Sequence, residues 1–400
     1  MKTETPDALV IGLGAMGSAT VYQLAKRGVK VVGVDRFAPP HAHGSTHGET
    51  RITREAIGEG AHFVPLAMRS HRLWREIERE TDETLLIKCG GLVIARAGQQ
   101  SWMHEQRDFF GNTVRAAETF GIAHERLSAN DIAVRFPQFA LQGDECGYFE
   151  PGAGYLAPEA CVRAQLSLAA RHGAELRTSE TVQAMTRANG QSTIETDRAR
   201  YRPGVTIVCA GPWMPQLWPQ LATSLTVRRQ VLYWFERDST DIALPSSHGK
   251  PIFIWNWGDG ADDVFYGFPE IGNCGAIKVA TEQCETSTTP ETVSRDVMQT
   301  EIAAMHARHV AGRLRGVSAR CVKAVTCLYT STQGANFIID RLPDAPDTIV
   351  VSACSGHGFK HSAAIGEAVA TMALSRATPE VLRPFALTAA AMTRDVNANP

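Results

Sequence analysis

The chain has 400 residues, 44% of them hydrophobic and 20% charged, with a formal net charge of −2, the balance of an ordinary globular protein of about two domains. No basic block offers a surface for nucleic acid, and no stretch approaches the roughly 20 apolar residues of a membrane helix. Nine scattered cysteines and a start without a signal-peptide profile point to a reducing compartment, so a cytoplasmic location is expected.

The first element is "ALVI", Ala8 to Ile11, a continuous apolar run suited to a parallel strand buried on both faces. Gly12, Gly14 and Gly17 follow in GxGxxG spacing. In that pattern the first glycine permits a tight turn, the second lets a diphosphate approach the backbone, and the third lets helix pack on strand. A helix is predicted from about Met16 to Arg27, closed by Gly28, with Lys26 and Arg27 in the last turn where they suit the helix dipole. "VKVVGV" is the next strand. Asp35 ends it, a carboxylate placed to accept hydrogen bonds from ribose hydroxyls. Together these elements specify an adenine dinucleotide with a free 2′-hydroxyl, and they fit NAD and FAD alike. "HAHGSTH", with His41, His43 and His47, reads as a loop rather than a metal site.

Downstream, "HFVPLAMRSHRLWREIERET" carries the stripe Leu66, Leu73, Trp74 and Ile77 of a helix, with Pro65 in its first turn. "CGGLVIA" is a strand in a different region. A helix is predicted over about Pro158 to Arg171, then a strand ending near Val182. "GVTIVCAGPW" is a buried strand that stops at a small-residue turn, Ala210 and Gly211. From Val227 to Ala280 the chain is aromatic and strand-like, with "GDGADD" as turn chemistry. About Pro290 to Arg313 reads as helix. "KAVTCLYTST" sets Cys327 in an apolar strand, where residue type alone makes it a small core hydrophobe. "DTIVVSACSGHGFKHSAAIGEAVATMAL" repeats the order strand, Gly-rich turn, helix. The expected fold class is α/β with mixed α+β character. A discontinuous Rossmann-like nucleotide domain (1–85, 150–218 and 324–390) is interrupted by an antiparallel-sheet substrate domain (86–149 and 219–323).

The collinear series "GLGAMGSAT", "VDRF", "HGSTHGETRITREAIGEG", "EPGAGYL", "VRRQV", "FYGFP", "GAIK", "CLYT" and "SGHGFKHS" resembles the monomeric sarcosine oxidase and N-methyltryptophan oxidase family. These are flavoprotein amine oxidases of the D-amino-acid-oxidase-like class, and the likeness covers nearly the whole chain. The resemblance implies FAD as cofactor, held covalently by a thioether from Cys327 to the flavin 8-methyl position. It sets the cofactor site on Gly12, Gly14, Met16, Gly17, Asp35 and Arg36, on Ser45, Thr46 and Arg51, on Val182, Ala210 and Gly211, and on Gly356, Gly358, Phe359 and Lys360.

The same resemblance assigns the substrate carboxylate to Arg54 and Lys360, a planar fork and a second cation. It places Arg51 and His47 beside flavin and substrate, lines the pocket with Tyr266, and turns Lys278 toward the flavin, where a fixed positive charge helps oxygen accept an electron. The implied reaction oxidises the C–N bond of a secondary amino acid to an imine that hydrolyses, while O2 becomes H2O2. A monomer without a metal is expected. Glu282 stands four residues after Lys278, where sarcosine-type members commonly have histidine, and "FIWNWGDGADD" adds two tryptophans and a longer turn. Both departures point away from sarcosine toward a bulkier N-methyl or cyclic amino acid. The alternative is a related FAD-dependent dehydrogenase that passes electrons to a carrier other than O2; Lys278 argues against it.

Overall fold

Residues 3–238, 250–272, 274–375 and 377–387 are described by the computed structural model. Ala8–Ile11 forms a strand with all four residues buried. It lies inside a six-stranded sheet whose order runs Glu175–Thr178, Val31–Asp35, Ala8–Ile11, Val205–Val208, Ala345–Ser352 and Ile338–Leu342. The first five strands are parallel, and Ile338–Leu342 is an antiparallel edge. The helices Ala15–Lys26, Pro158–Arg171 and Ser362–Ser375 contribute one core. Leu9, Ile11, Val32, Val34 and Val208 belong to a second core, shared with Ile194 and Tyr201 of a four-stranded sheet. Burial on both faces is why these strands read as unbroken apolar runs rather than alternating ones.

A second, eight-stranded sheet is built from Val317–Ser331, Thr226–Arg237, Ala276–Ala280, Val264–Gly267, Ile252–Asn256, Gly91–Arg96, Glu145–Glu150 and Glu125–Ser128, in that order. All its pairings are antiparallel except that between Ile252–Asn256 and Gly91–Arg96. Its outer face packs on an aromatic core that includes Phe139, Phe149, Phe235, Phe253, Trp255 and Phe265. The mixed α/β class expected from the sequence is the one observed. Among the described residues, no helix is long and apolar enough to cross a membrane.

Two expected elements differ. The helix read over 290–313 is restricted to Gln299–Met305, continued by a π turn, His306–Val310. The segment before it is pinned as extended chain. Thr288 donates its N–H to Val227 O at 2.8 Å, and Arg229 bonds Ser294 O at 2.9 Å and Asp296 O at 2.8 Å. These tertiary contacts override local helix propensity. The strand expected to end near Val182 stops at Thr178, where Ser179 has φ +55°, and Val182 instead begins the strand Val182–Ala188.

Candidate active site

Gly12 ends the first strand with φ +87°, and a Cβ there would lie 2.4 Å from Cys209 O. A Cβ on Gly17 would lie 1.7 Å from Gly12 O, so turn, helix and neighbouring strand are in backbone contact. At Gly14 the only near atom is Thr46 Oγ1, at 3.5 Å; this glycine opens on a cavity of about 410 Å3 that runs between the two sheets. Asp35 is fixed at the cavity wall by accepting N–H groups from Leu13 and Phe37, each at 2.8 Å.

Gly12, Gly14, Met16, Asp35 and Arg36 line the nucleotide end, with Val182, Ala210 and Gly211 opposite. Ser45, Thr46 and Arg51 line the middle, and Gly356, Gly358, Phe359 and Lys360 the far end. Gly17 lies behind the turn and Cys327 behind the wall. Cys327 is fully buried, with Sγ 3.5 Å from Arg51 Nη2 and 3.5 Å from Ser45 O. The neighbouring Thr330 does face the cavity, and its buried Oγ1 has no hydrogen-bond partner. A glycine cradle, a carboxylate at the strand end and an unused hydroxyl in the wall suit an adenine dinucleotide.

The loop between Ser45 and Arg51 is pinned by Glu159, in the first turn of the Pro158–Arg171 helix, which accepts the N–H groups of Gly48 at 2.7 Å and Glu49 at 3.1 Å. Against this loop lies Lys278, which is 2% exposed. Its Nζ donates to Gly48 O at 2.6 Å, Thr50 O at 2.9 Å and Thr50 Oγ1 at 3.1 Å, between the rings of Trp234 and Phe268. Burial, followed by the charge of Arg51, pushes its pKa down. Three acceptors and two ring faces nevertheless call for the ammonium, which alone has three N–H donors. This lysine does not reach for solvent. Tyr266 and Tyr329 share a hydrogen bond of 3.2 Å between their hydroxyls and line the cavity nearby. His47 is buried but does not line the cavity, and burial, with Arg51 and Lys278 beside it, lowers its pKa to about 3. It is therefore neutral at ordinary pH.

At the far end Arg54 and Lys360 come together around a carboxylate that the sequence reading did not single out. Glu59 Oε2 accepts from Arg54 Nη2 at 2.6 Å, and Oε1 lies 3.5 Å from Lys360 Nζ. Arg54 also donates to Ala56 O and lies over the Phe109 ring. Lys360 donates to His357 O at 2.8 Å. Burial works to raise the pKa of Glu59, but Arg54 and Lys360 outweigh it and hold the carboxyl well below its usual range. Burial lowers Lys360 to about 8, with Glu59 opposing. Two cations and one anion leave one net positive charge, the complement of a single carboxylate. The turn between Arg54 and Glu59 is held by Glu150, which accepts the N–H groups of Glu55 at 2.7 Å and Ala56 at 3.2 Å.

The two departures noted in the sequence act elsewhere. Trp255 packs in the aromatic core and Trp257 against His309, while Ile254, immediately before Trp255, faces the cavity. Period-two alternation puts both tryptophans on the outer face. Glu282 does not line the cavity; it accepts the N–H of His104 at 3.0 Å. His104, His357, Tyr329 and Glu59 all line the substrate end. Three of them lie inside quoted motifs, Tyr329 in "CLYT", His357 in "SGHGFK" and Glu59 in "HGSTHGETRITREAIGEG", where nothing but that membership could have marked them.

A profile of the DAO family, described as FAD dependent oxidoreductase, matches residues 7–372. The chain is 38% identical to a monomeric sarcosine oxidase of Streptomyces avermitilis over 385 residues, 95% of this chain and 97% of that protein. It is 31% identical to an N-methyl-L-tryptophan oxidase of Salmonella enteritidis PT4 over 389 residues, 95% and 98% of the two chains. In fold it is similar to NikD, an amino acid oxidase essential for nikkomycin biosynthesis, with a TM-score of 0.81, 22% identity and coverage of 96% and 97%.

Proposed function

The chain belongs to the DAO family of FAD-dependent oxidoreductases, and from that premise we propose that it is an oxidase of secondary, N-methyl or cyclic, amino acids. The C–N bond is oxidised to an imine that water then hydrolyses, and O2 leaves as H2O2. The observation that carries this reading is the net positive Arg54–Lys360–Glu59 cluster at one end of a cavity whose other end is a dinucleotide turn. Bound FAD supplies the two-electron acceptor. Gly12 and Gly14 would face its diphosphate and Asp35 its ribose, and Cys327 is the attachment point suggested by the "CLYT" segment.

Arg54 and Lys360 hold the substrate carboxylate by charge-assisted hydrogen bonds. Arg51, Arg54, Lys278 and Lys360 around one cavity favour the neutral amine over the ammonium, and the neutral amine is the form that can be oxidised. Tyr266 and Tyr329 close the wall beside it and stay protonated, because burial raises both phenols. Lys278 keeps a buried positive charge where oxygen is reduced, and it supports the oxidase over a dehydrogenase with another acceptor. The flavin-binding part is assigned to 1–85, 150–218 and 324–390 and the substrate part to 86–149 and 219–323; the six-stranded sheet draws all its strands from the former. A cytoplasmic monomer acting on small amino acids completes the proposal.

Two measurements test it. Acid precipitation should leave the yellow colour in the pellet; colour in the supernatant removes the covalent link. A peroxide-release screen over N-methyl amino acids, proline, pipecolate and D-amino acids should find turnover among the secondary amines. Turnover only with an artificial electron carrier would establish the dehydrogenase instead.

A further inference from the structure

Residues Trp102–Met103 and Gln106–Arg107 pair as a short antiparallel hairpin whose two-residue turn is His104–Glu105. Both turn residues have positive φ, +49° and +61°, as a tight I′-type turn requires. Neither is a glycine or asparagine, so other contacts must hold the turn. Asn256 Oδ1 accepts the N–H of Trp102 at 2.7 Å, Glu282 Oε2 that of His104 at 3.0 Å, and Glu105 Oε2 that of Gly334 at 2.7 Å. Three separate regions of the chain thus hold this tip against the substrate end of the cavity.

The His104 side chain enters that end. It is 5% exposed and its ring lies 5.1 Å from that of His357. A Cβ on Gly356 would come within 2.6 Å of it, so the hairpin tip sits directly on the Gly-rich turn. His104 Nδ1 stands 3.2 Å from Glu59 Oε1, off the line of a hydrogen bond, and has no other partner. Oε1 is also the oxygen that faces Lys360.

When a substrate carboxylate takes donors from Arg54 and Lys360, Glu59 loses part of its own supply. A buried carboxylate left short of donors is costly, and two carboxylates would then compete for one lysine. The donor in reach is His104 Nδ1, unpartnered here and a donor in the Nδ1–H tautomer that a carboxylate beside it favours. We propose that His104 is a positioning residue of the carboxylate site, holding Glu59 Oε1 so that Lys360 is released to the substrate. This rests on the reading that Arg54 and Lys360 bind the substrate carboxylate.

The test uses the flavin-loaded enzyme and butanoate, a carboxylate of amino-acid size without a C–N bond, titrated by calorimetry. His104→Phe keeps the bulk and removes the donor. Its Kd for butanoate should rise about ten-fold or more, the range of one hydrogen bond to a charged group. With an N-methyl amino acid it should raise KM more than it lowers kcat, and with an amine lacking the carboxylate it should change KM little. Asparagine tolerates positive φ and carries an N–H near the Nδ1 position, so His104→Asn should restore binding. Wild-type affinity in His104→Phe, or equally weak binding in His104→Asn with its flavin content and circular dichroism intact, overturns the proposal. Arg54→Ala is the control. If it too binds butanoate like the wild type, the carboxylate reading itself falls and takes this role of His104 with it.

Discussion

Lys278 and Lys360 are both buried, yet their surroundings differ in kind. Lys278 bonds only neutral oxygens and rings, so its charge stays available to a developing anion. Losing one such preorganised group typically costs about 3–4 kcal/mol, or roughly 10²–10³ in rate. Lys278→Met keeps the stem and should slow reoxidation of the reduced enzyme far more than its reduction by substrate; stopped-flow records of the two half-reactions would show it, and an unchanged oxygen rate would remove the assignment. Lys360 has Glu59 as a partner and a pKa lowered to about 8 from an ordinary 10.5. Above pH 8 it loses its proton and the cluster falls from one net positive charge to none. Butanoate affinity should therefore decline as pH rises through about 8. Lys360→Arg, which stays charged, should flatten that profile. Stability runs the opposite way. Between about 8 and 10.5 the unfolded chain holds a proton that the folded chain has released, so this group's contribution to stability rises with pH across that window. Arg54 and Lys360 were legible in the sequence through their motifs. Glu59 was not singled out, because its pairing with Lys360 joins residues 301 positions apart and no local pattern records it.

Among the elements, the strand–turn–helix of Ala8–Lys26 was legible because each of its glycines answers a local need. Gly12→Ala should destabilise the protein by about 3 kcal/mol or more, since φ is +87° and the new methyl meets Cys209 O. Urea unfolding would measure this, and flavin content should fall with it; a stable, fully flavinylated Gly12→Ala protein would mean the turn is not the one described. The Trp102–Arg107 hairpin had no such signature. Its turn residues are histidine and glutamate, and what holds it are contacts from Asn256, Glu282 and Gly334. The tryptophans of "FIWNW" show the limit of pattern reading. Alternation puts them on one face together but does not say which face the cavity takes.

At the scale of the molecule, the cavity lies between two sheets, so a cofactor held in it would couple them. The strand Val317–Ser331, which carries Cys327, pairs with Thr226–Arg237 in the eight-stranded sheet, while the glycine cradle belongs to the six-stranded one. A covalently held flavin should therefore stabilise both parts at any flavin concentration. In Cys327→Ser binding should become reversible, so that stability gains about 2.7 kcal/mol at a hundred-fold excess of FAD over Kd and the melting temperature climbs with added FAD. Thermal scans of wild type and Cys327→Ser across an FAD series would decide. The same flat response in both, with acid-resistant flavin in the variant, would exclude Cys327 as the attachment point.

The order of the six-stranded sheet has a consequence for biosynthesis. Ala8–Ile11 leaves the ribosome well before its neighbour Val205–Val208 and the further strand Ala345–Ser352. About 340 residues separate Ile11 from Ser352, and translation at about 5–20 residues per second spreads them over roughly 17–70 s. Through that interval the buried side of Ala15–Lys26, with Val21, Tyr22 and Leu24, lacks the Ser362–Ser375 helix that contributes to the same core. The first residues made to meet the cofactor are thus the ones that wait longest for their site. A nascent chain arrested before Ile338 should hold no flavin, and its exposed apolar helix should make it a chaperone client until the last strands arrive.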